Sequence, residues 1–125
     1  NSRRLDRVDI EPLAEPEAIS RCRREVSATR MEPGVQHYAV DIVRRTRAHP
    51  FVHYGASPRA SVALLLCSKA LAAIRGREFA TPDDVRDIAR PVLRHRLSLR
   101  AEAELDGAIP DAVISDILRS TEVPR

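Results

Sequence analysis

The sequence predicts an all-α fold, a helical bundle of about five helices, and three features carry that prediction. Apolar residues recur at helical spacing in separate segments, as in Val35, Ala39, Ile42, Val43 and Thr46, and again in Val113, Ile114, Ile117 and Leu118. Prolines stand where helices begin, at Pro16, Pro58 and Pro82, in the first helical position where no backbone donor is needed. Breakers then close the segments: Pro50 after the second and Gly76 after the third.

The elements follow in order. Residues 1–15 are mostly polar and read as a linker, so the domain proper spans 16–125. Pro16 opens "PEAISRCRREVSA", with acids at its start and arginines towards its end, as the helix dipole favours. "TRMEPG" interrupts it, and "VQHYAVDIVRRTRAH" is the second helix. "HPFVHYGASP" is a loop longer than most helix connections, and it carries Phe51, Tyr54, His49 and His53. The third helix, "PRASVALLLCSKALAAIR", is about 27 Å long. It is apolar on nearly every side, which predicts a place in the middle of the bundle, with Cys67-Ser68-Lys69 as a solvent-facing polar line. Thr81 and Pro82 start a fourth helix, with Asp83 and Asp84 on its open amides and Val85, Ile88, Ala89, Val92 and Leu93 inward. Pro91 is expected to kink or restart it. "REFA" and "LSL" (97–99) are candidates to pair as a very short two-stranded β element. "DGAIPDAVISDILRSTEVP" holds the last helix.

The totals narrow the function. The 125 residues are 43% hydrophobic and 31% charged, ordinary for one globular domain. No apolar run approaches the roughly 18 residues that span a bilayer, so no membrane role is expected. Cys22 and Cys67 show no metal-ligand spacing and read as free thiols of a cytoplasmic protein. Of 21 basic residues only Lys69 is lysine, a bias that fits a GC-rich genome better than a nucleic-acid surface, since the arginines are interleaved with acids. Aromatics are 3%, few for base stacking.

Most catalytic chemistries find no footing. The four glycines lie more than ten residues apart, so no phosphate loop is present. His49 and His53 have a helical metal spacing, but Pro50 forbids that helix and no third ligand is near. The best basic face is Arg86, Arg90, Arg94, Arg96 and Arg100, which leaves a helical nucleic-acid-binding module as an alternative. A plain protein-interaction bundle using the "HPFVHYGASP" loop is another.

Arg59 is the unusual placement. It lies in a first turn, facing the positive end of the helix dipole, where acids are favoured. One reading is an ordinary surface arginine. The other is an anion contact: Ser57 caps the turn, Pro58 stiffens it, and Gly55-Ala56 leaves room for close approach. A guanidinium beside open amides suits a phosphate.

The stretch "YGASPRASVALLLCSKALAAIRGREFATPDDVRDIARPVLRHRL" resembles the C-terminal lid domain of MoxR-family AAA+ ATPases. "GASPRA", "ALLLCSKALAAIRGREFATPDDV", "VLRHRL" and "EAELDG…VPR" carry the likeness in this order, and "EPEAISRCRREV" and "YAVDIVRRTRAHP" extend it over nearly the whole chain. The resemblance implies an AAA+ core, absent from this chain, that holds ATP and Mg²⁺ and precedes the lid. It implies that Arg59 is the sensor 2 arginine, touching the outer phosphates with Ser57 beside it. The fragment alone is then not catalytic, although its parent is an ATPase. The implied partners are the core, neighbouring subunits of a chaperone-like hexamer, and proteins with von Willebrand factor A domains. Cys67-Ser68-Lys69 stands where that family often has an apolar residue.

Overall fold

The structure, a computed structural model, describes residues 12–124. They run as α1 (Pro16–Ala28), β1 (Arg30–Met31), α2 (Pro33–Ala48), β2 (Val52–Tyr54), α3 (Pro58–Ile74), β3 (Phe79–Ala80), α4 (Pro82–Leu93), β4 (Ser98–Leu99), α5 (Ala101–Leu105) and α6 (Pro110–Ser120). Of the linker expected over 1–15, only the last four residues are described, and they are not helical. The all-α bundle is borne out with six helices among the described residues. The extra one is α5, whose five residues are too few to display a period.

Helix α3 is the element on which α1, α2 and α4 all pack. Its buried line is Ala60, Leu64, Ser68 and Ala72, one residue per turn, and the two alanines let neighbours come close. It is central but not enclosed, because Val62 and Leu66 are each more than half exposed. The polar line expected to face solvent is corrected at Ser68: this residue is completely buried, and its Oγ donates to the Leu64 carbonyl at 2.7 Å. That local bond satisfies the hydroxyl without water. Helix α3 ends at Gly76, at φ +72°, where the Gly76 amide donates to Ala73 and that of Arg77 to Ala72, both at 2.9 Å. This left-handed cap is open to glycine at no steric cost.

The other helices supply the core: Ile42 and Val43 from α2, Val85 and Leu93 from α4, and Ile114 from α6 are fully buried around Leu64. Each such side chain stabilises the fold by about 1.5–3 kcal/mol relative to exposure. The stripe expected on α2 is buried throughout, joined by Tyr38. Helix α4 runs through Pro91 without a restart and stops two residues later, so the proline disturbs only the last turn.

The expected pairing of "REFA" with residues 97–99 does not form. Strand β3 lies parallel to β1, with Arg30 opposite Phe79 and Met31 opposite Ala80. Strand β4 runs antiparallel to β2, with Val52 opposite Leu99. Strands of two or three residues carry too little pattern to name a partner, so packing chooses it. Here each pairing turns one residue of each strand inward: Met31, Ala80, Val52 and Leu99 are all buried.

Asp84, expected to place its charge on the open amides at the start of α4, does so, and it is completely buried. Its Oδ2 accepts from the Thr81 amide at 2.8 Å, the Thr81 hydroxyl at 3.0 Å and Arg77 Nη1 at 2.8 Å. Its Oδ1 accepts from Arg75 Nη1 at 2.9 Å and from Arg77 Nη2. Arg75 also reaches Asp87 at 2.7 Å. Burial alone pushes the Asp84 carboxyl up and is the largest single influence. The Arg77 hydrogen bonds and the two from Thr81, with the Arg77 charge, outweigh it and hold the carboxyl at about 2. One carboxylate thus ties the end of α3 to the start of α4.

Candidate functional site

The site is the N-terminus of α3, and the segment before it is anchored twice. On one side, the Arg100 amide donates to the Phe51 carbonyl at 2.8 Å and Arg100 Nε to the Pro50 carbonyl at 3.0 Å, beside the β2–β4 pairing. On the other, the buried Thr46 hydroxyl on α2 accepts from the Ala56 amide at 2.9 Å and donates to Val43 at 2.6 Å. The room beside Gly55 is not open for a ligand, as the sequence had suggested. A Cβ there would stand 2.4 Å from Arg47 Cγ and 2.7 Å from Arg47 Cα and N, so the glycine lets the loop lie directly on α2. Thr46 reads as part of an apolar stripe in the sequence, and only the docked loop reveals what its hydroxyl does.

Gly55→Ala is therefore expected to force the loop off α2 and lower stability by about 2 kcal/mol, because backbone atoms cannot yield as a flexible side chain does. Chemical denaturation measures this, and Gly34→Ala, whose Cβ would meet only Pro124 at 3.3 Å, is the control.

Ser57 occupies the cap position with φ −72° and ψ 164°, and its carbonyl accepts from the Ala60 amide at 2.8 Å. Its hydroxyl makes no capping bond, contrary to the expectation that it would cap the turn. The hydroxyl is left uncommitted at an exposed position. Arg59 is exposed one residue past Pro58, and no ion pair involves it among the described residues. Helices α1, α4, α5 and α6 place an acid in the first turn, whereas α2 and α3 have none. An uncommitted hydroxyl, open first-turn amides and a guanidinium thus meet at one stiffly held helix end, an arrangement that suits an anion.

The other candidates disperse. Arg90 bonds Ser115 Oγ at 2.9 Å, Arg94 pairs with Asp111 at 3.0 Å, Arg96 donates to the Val92 carbonyl and Arg100 to Pro50. Arg86 lies near enough to Tyr38 for its charge to oppose the rise that burial gives the phenol. Of the five arginines proposed as a nucleic-acid face, Arg90, Arg94, Arg96 and Arg100 each bond within the fold while remaining exposed. His49 accepts from the Phe51 amide at 3.2 Å, and His53 lies edge-on to Tyr54 with ring centres 4.1 Å apart. No helix among the described residues is long and apolar enough to cross a membrane.

A central helix packed by three others, entered through a pinned loop and opening on an arginine, defines a helical lid bundle. The AAA lid domain family matches residues 44–117, more than half of the chain, and the chain belongs to it. It is a lid of the MoxR type. It is 36% identical over 115 residues to the uncharacterised protein YeaC of Bacillus subtilis, covering 92% of this chain and 36% of that protein. Against the chaperone MoxR1 of Mycobacterium tuberculosis it is 40% identical over 75 residues, covering 60% of this chain and 20% of that one. A solved structure of a candidate ATPase from Cytophaga hutchinsonii superposes with a TM-score of 0.77 at 28% identity, covering 82% of this chain and 34% of that one. The chain spans about a third or less of these proteins' length.

Proposed function

We propose that residues 16–125 form the C-terminal lid of a longer cytoplasmic MoxR-type ATPase, joined through 1–15 to an AAA+ core that holds ATP and Mg²⁺. Arg59 is the sensor 2 residue: its guanidinium contacts the outer phosphates, aided by the Ser57 hydroxyl. The observation that carries this reading is an exposed arginine, with no ion pair among the described residues, on the anchored first turn of α3. Lid position then follows nucleotide state and is passed to neighbouring subunits of a chaperone-like ring, with von Willebrand factor A domain proteins as candidate partners. Alone, the domain neither hydrolyses ATP nor holds it tightly, because one arginine and a few amides do not replace a phosphate loop.

The test is nucleotide discrimination in the full-length ATPase carrying this lid. A guanidinium on the terminal phosphate favours ATP over ADP. Arg59→Ala is therefore expected to reduce the ratio of ATP to ADP affinity by about 10-fold, the worth of one charged hydrogen bond. An unchanged ratio overturns the phosphate contact and favours the protein-interaction reading, in which exposed Phe51 and Tyr54 do the docking.

A further inference from the structure

Helix α1 is held to the fold only by partly exposed residues. None of its residues is buried, it rests chiefly on α3, and the Lys69 ammonium donates to its Ser27 carbonyl at 3.3 Å. Between α1 and α3 lies an open, mainly apolar groove whose walls include Val26 and Leu66. Both cysteines of the chain line this same groove: Cys22 from α1, exposed, and Cys67 from α3, half-buried. Arg23 and Lys69 line it too, giving it a positive rim.

We propose that Cys22 and Cys67 form a thiol pair, a modification site oxidised by a low-molecular-weight disulfide to an intramolecular bond that fastens α1 to α3. With only two cysteines in the chain, neither has another internal partner. A disulfide needs its two Cα atoms within about 7 Å, and a helix without buried residues adjusts to meet that at little cost in packing. Glutathione disulfide suits the groove, since its carboxylates meet the positive rim. The Cys22 thiolate, the more accessible, attacks one glutathione sulfur and expels the first glutathione thiolate. The Cys67 thiolate then attacks the Cys22 sulfur and expels the second. The protein loses two electrons and two protons, and the disulfide reagent becomes two molecules of glutathione. The bond joins α1 to the helix whose first turn carries Arg59, yet its formation requires no nucleotide and no role for that arginine.

The experiment treats the 125-residue chain with glutathione disulfide and reads intact mass, free thiols, migration without reductant and melting temperature. The expected product is a monomer lighter by two hydrogen atoms, with no free thiol. Its melting point rises by about 10 °C, since closing a loop of about 45 residues restricts the unfolded chain. Cys22→Ser and Cys67→Ser should each abolish the rise and leave one glutathione adduct or one free thiol. Failure of the wild type to react, adducts persisting on both sulfurs, or a disulfide-linked dimer as the main product would each overturn the proposal.

Discussion

Asp84→Ala is expected to lower the stability of the domain by about 3 kcal/mol, because it leaves two guanidiniums facing each other with their carboxylate gone. Asp84 is completely buried, whereas Arg75 and Arg77 stay 41% and 29% exposed, which places the loss at the low end for a broken buried pair. Thr81 loses the acceptor of its amide and hydroxyl as well. Asp87→Ala breaks an ion pair in which both partners reach solvent, and should cost less than about 1 kcal/mol. Chemical denaturation of the two variants separates them. The same carboxylate gives stability its acid dependence. Its folded value of about 2 lies below the ordinary 3.8, so its contribution is complete above pH 4 and is lost as pH falls towards 2. That contribution is roughly 2.5 kcal/mol. Asp84→Asn should flatten the stability curve across this window, and an unaltered curve would show that the carboxylate is not held down by its arginines.

The sequence made the longer helices legible through their opening prolines, their breakers and their apolar stripes, while α5, too short for a period, gave no such signal. The bounds of α1 coincide with "PEAISRCRREVSA", and the inward residues of α2 and α6 are those their spacing indicates. Features that depend on a distant partner were hidden. Asp84 follows a cap as a helix-dipole acid should, and nothing local tells that Arg75 and Arg77 fold over it. Ser68 looks polar and therefore outward, but its hydroxyl is satisfied within its own helix. Gly55 suggests open room, yet Arg47 of α2 fills it. Strand partners at 30–31, 52–54, 79–80 and 98–99 are chosen by packing alone. At the candidate site the unusual residue, Arg59, was evident from its wrong-signed position on the helix dipole. The means of holding it was not, since Thr46 and Arg100 lie far from it in sequence.

Arg59→Ala is expected to slow ATP hydrolysis by the full-length ATPase about 10-fold or more, with the lid still folded. Phosphoryl transfer leaves the protein little covalent work, so positioning and charge stabilisation carry the rate. An exposed side chain with no ion pair contributes little to stability, so a loss of turnover without a change in melting temperature would isolate the chemical role. Lysine keeps the charge without the planar fork, and Arg59→Lys should fall between wild type and alanine. The most direct measurement is single-turnover hydrolysis at saturating ATP, which separates the chemical step from binding and release. A fall of about 10-fold or more in Arg59→Ala is what a guanidinium on the reacting phosphates predicts; turnover equal to wild type would contradict it and leave Arg59 an ordinary surface residue.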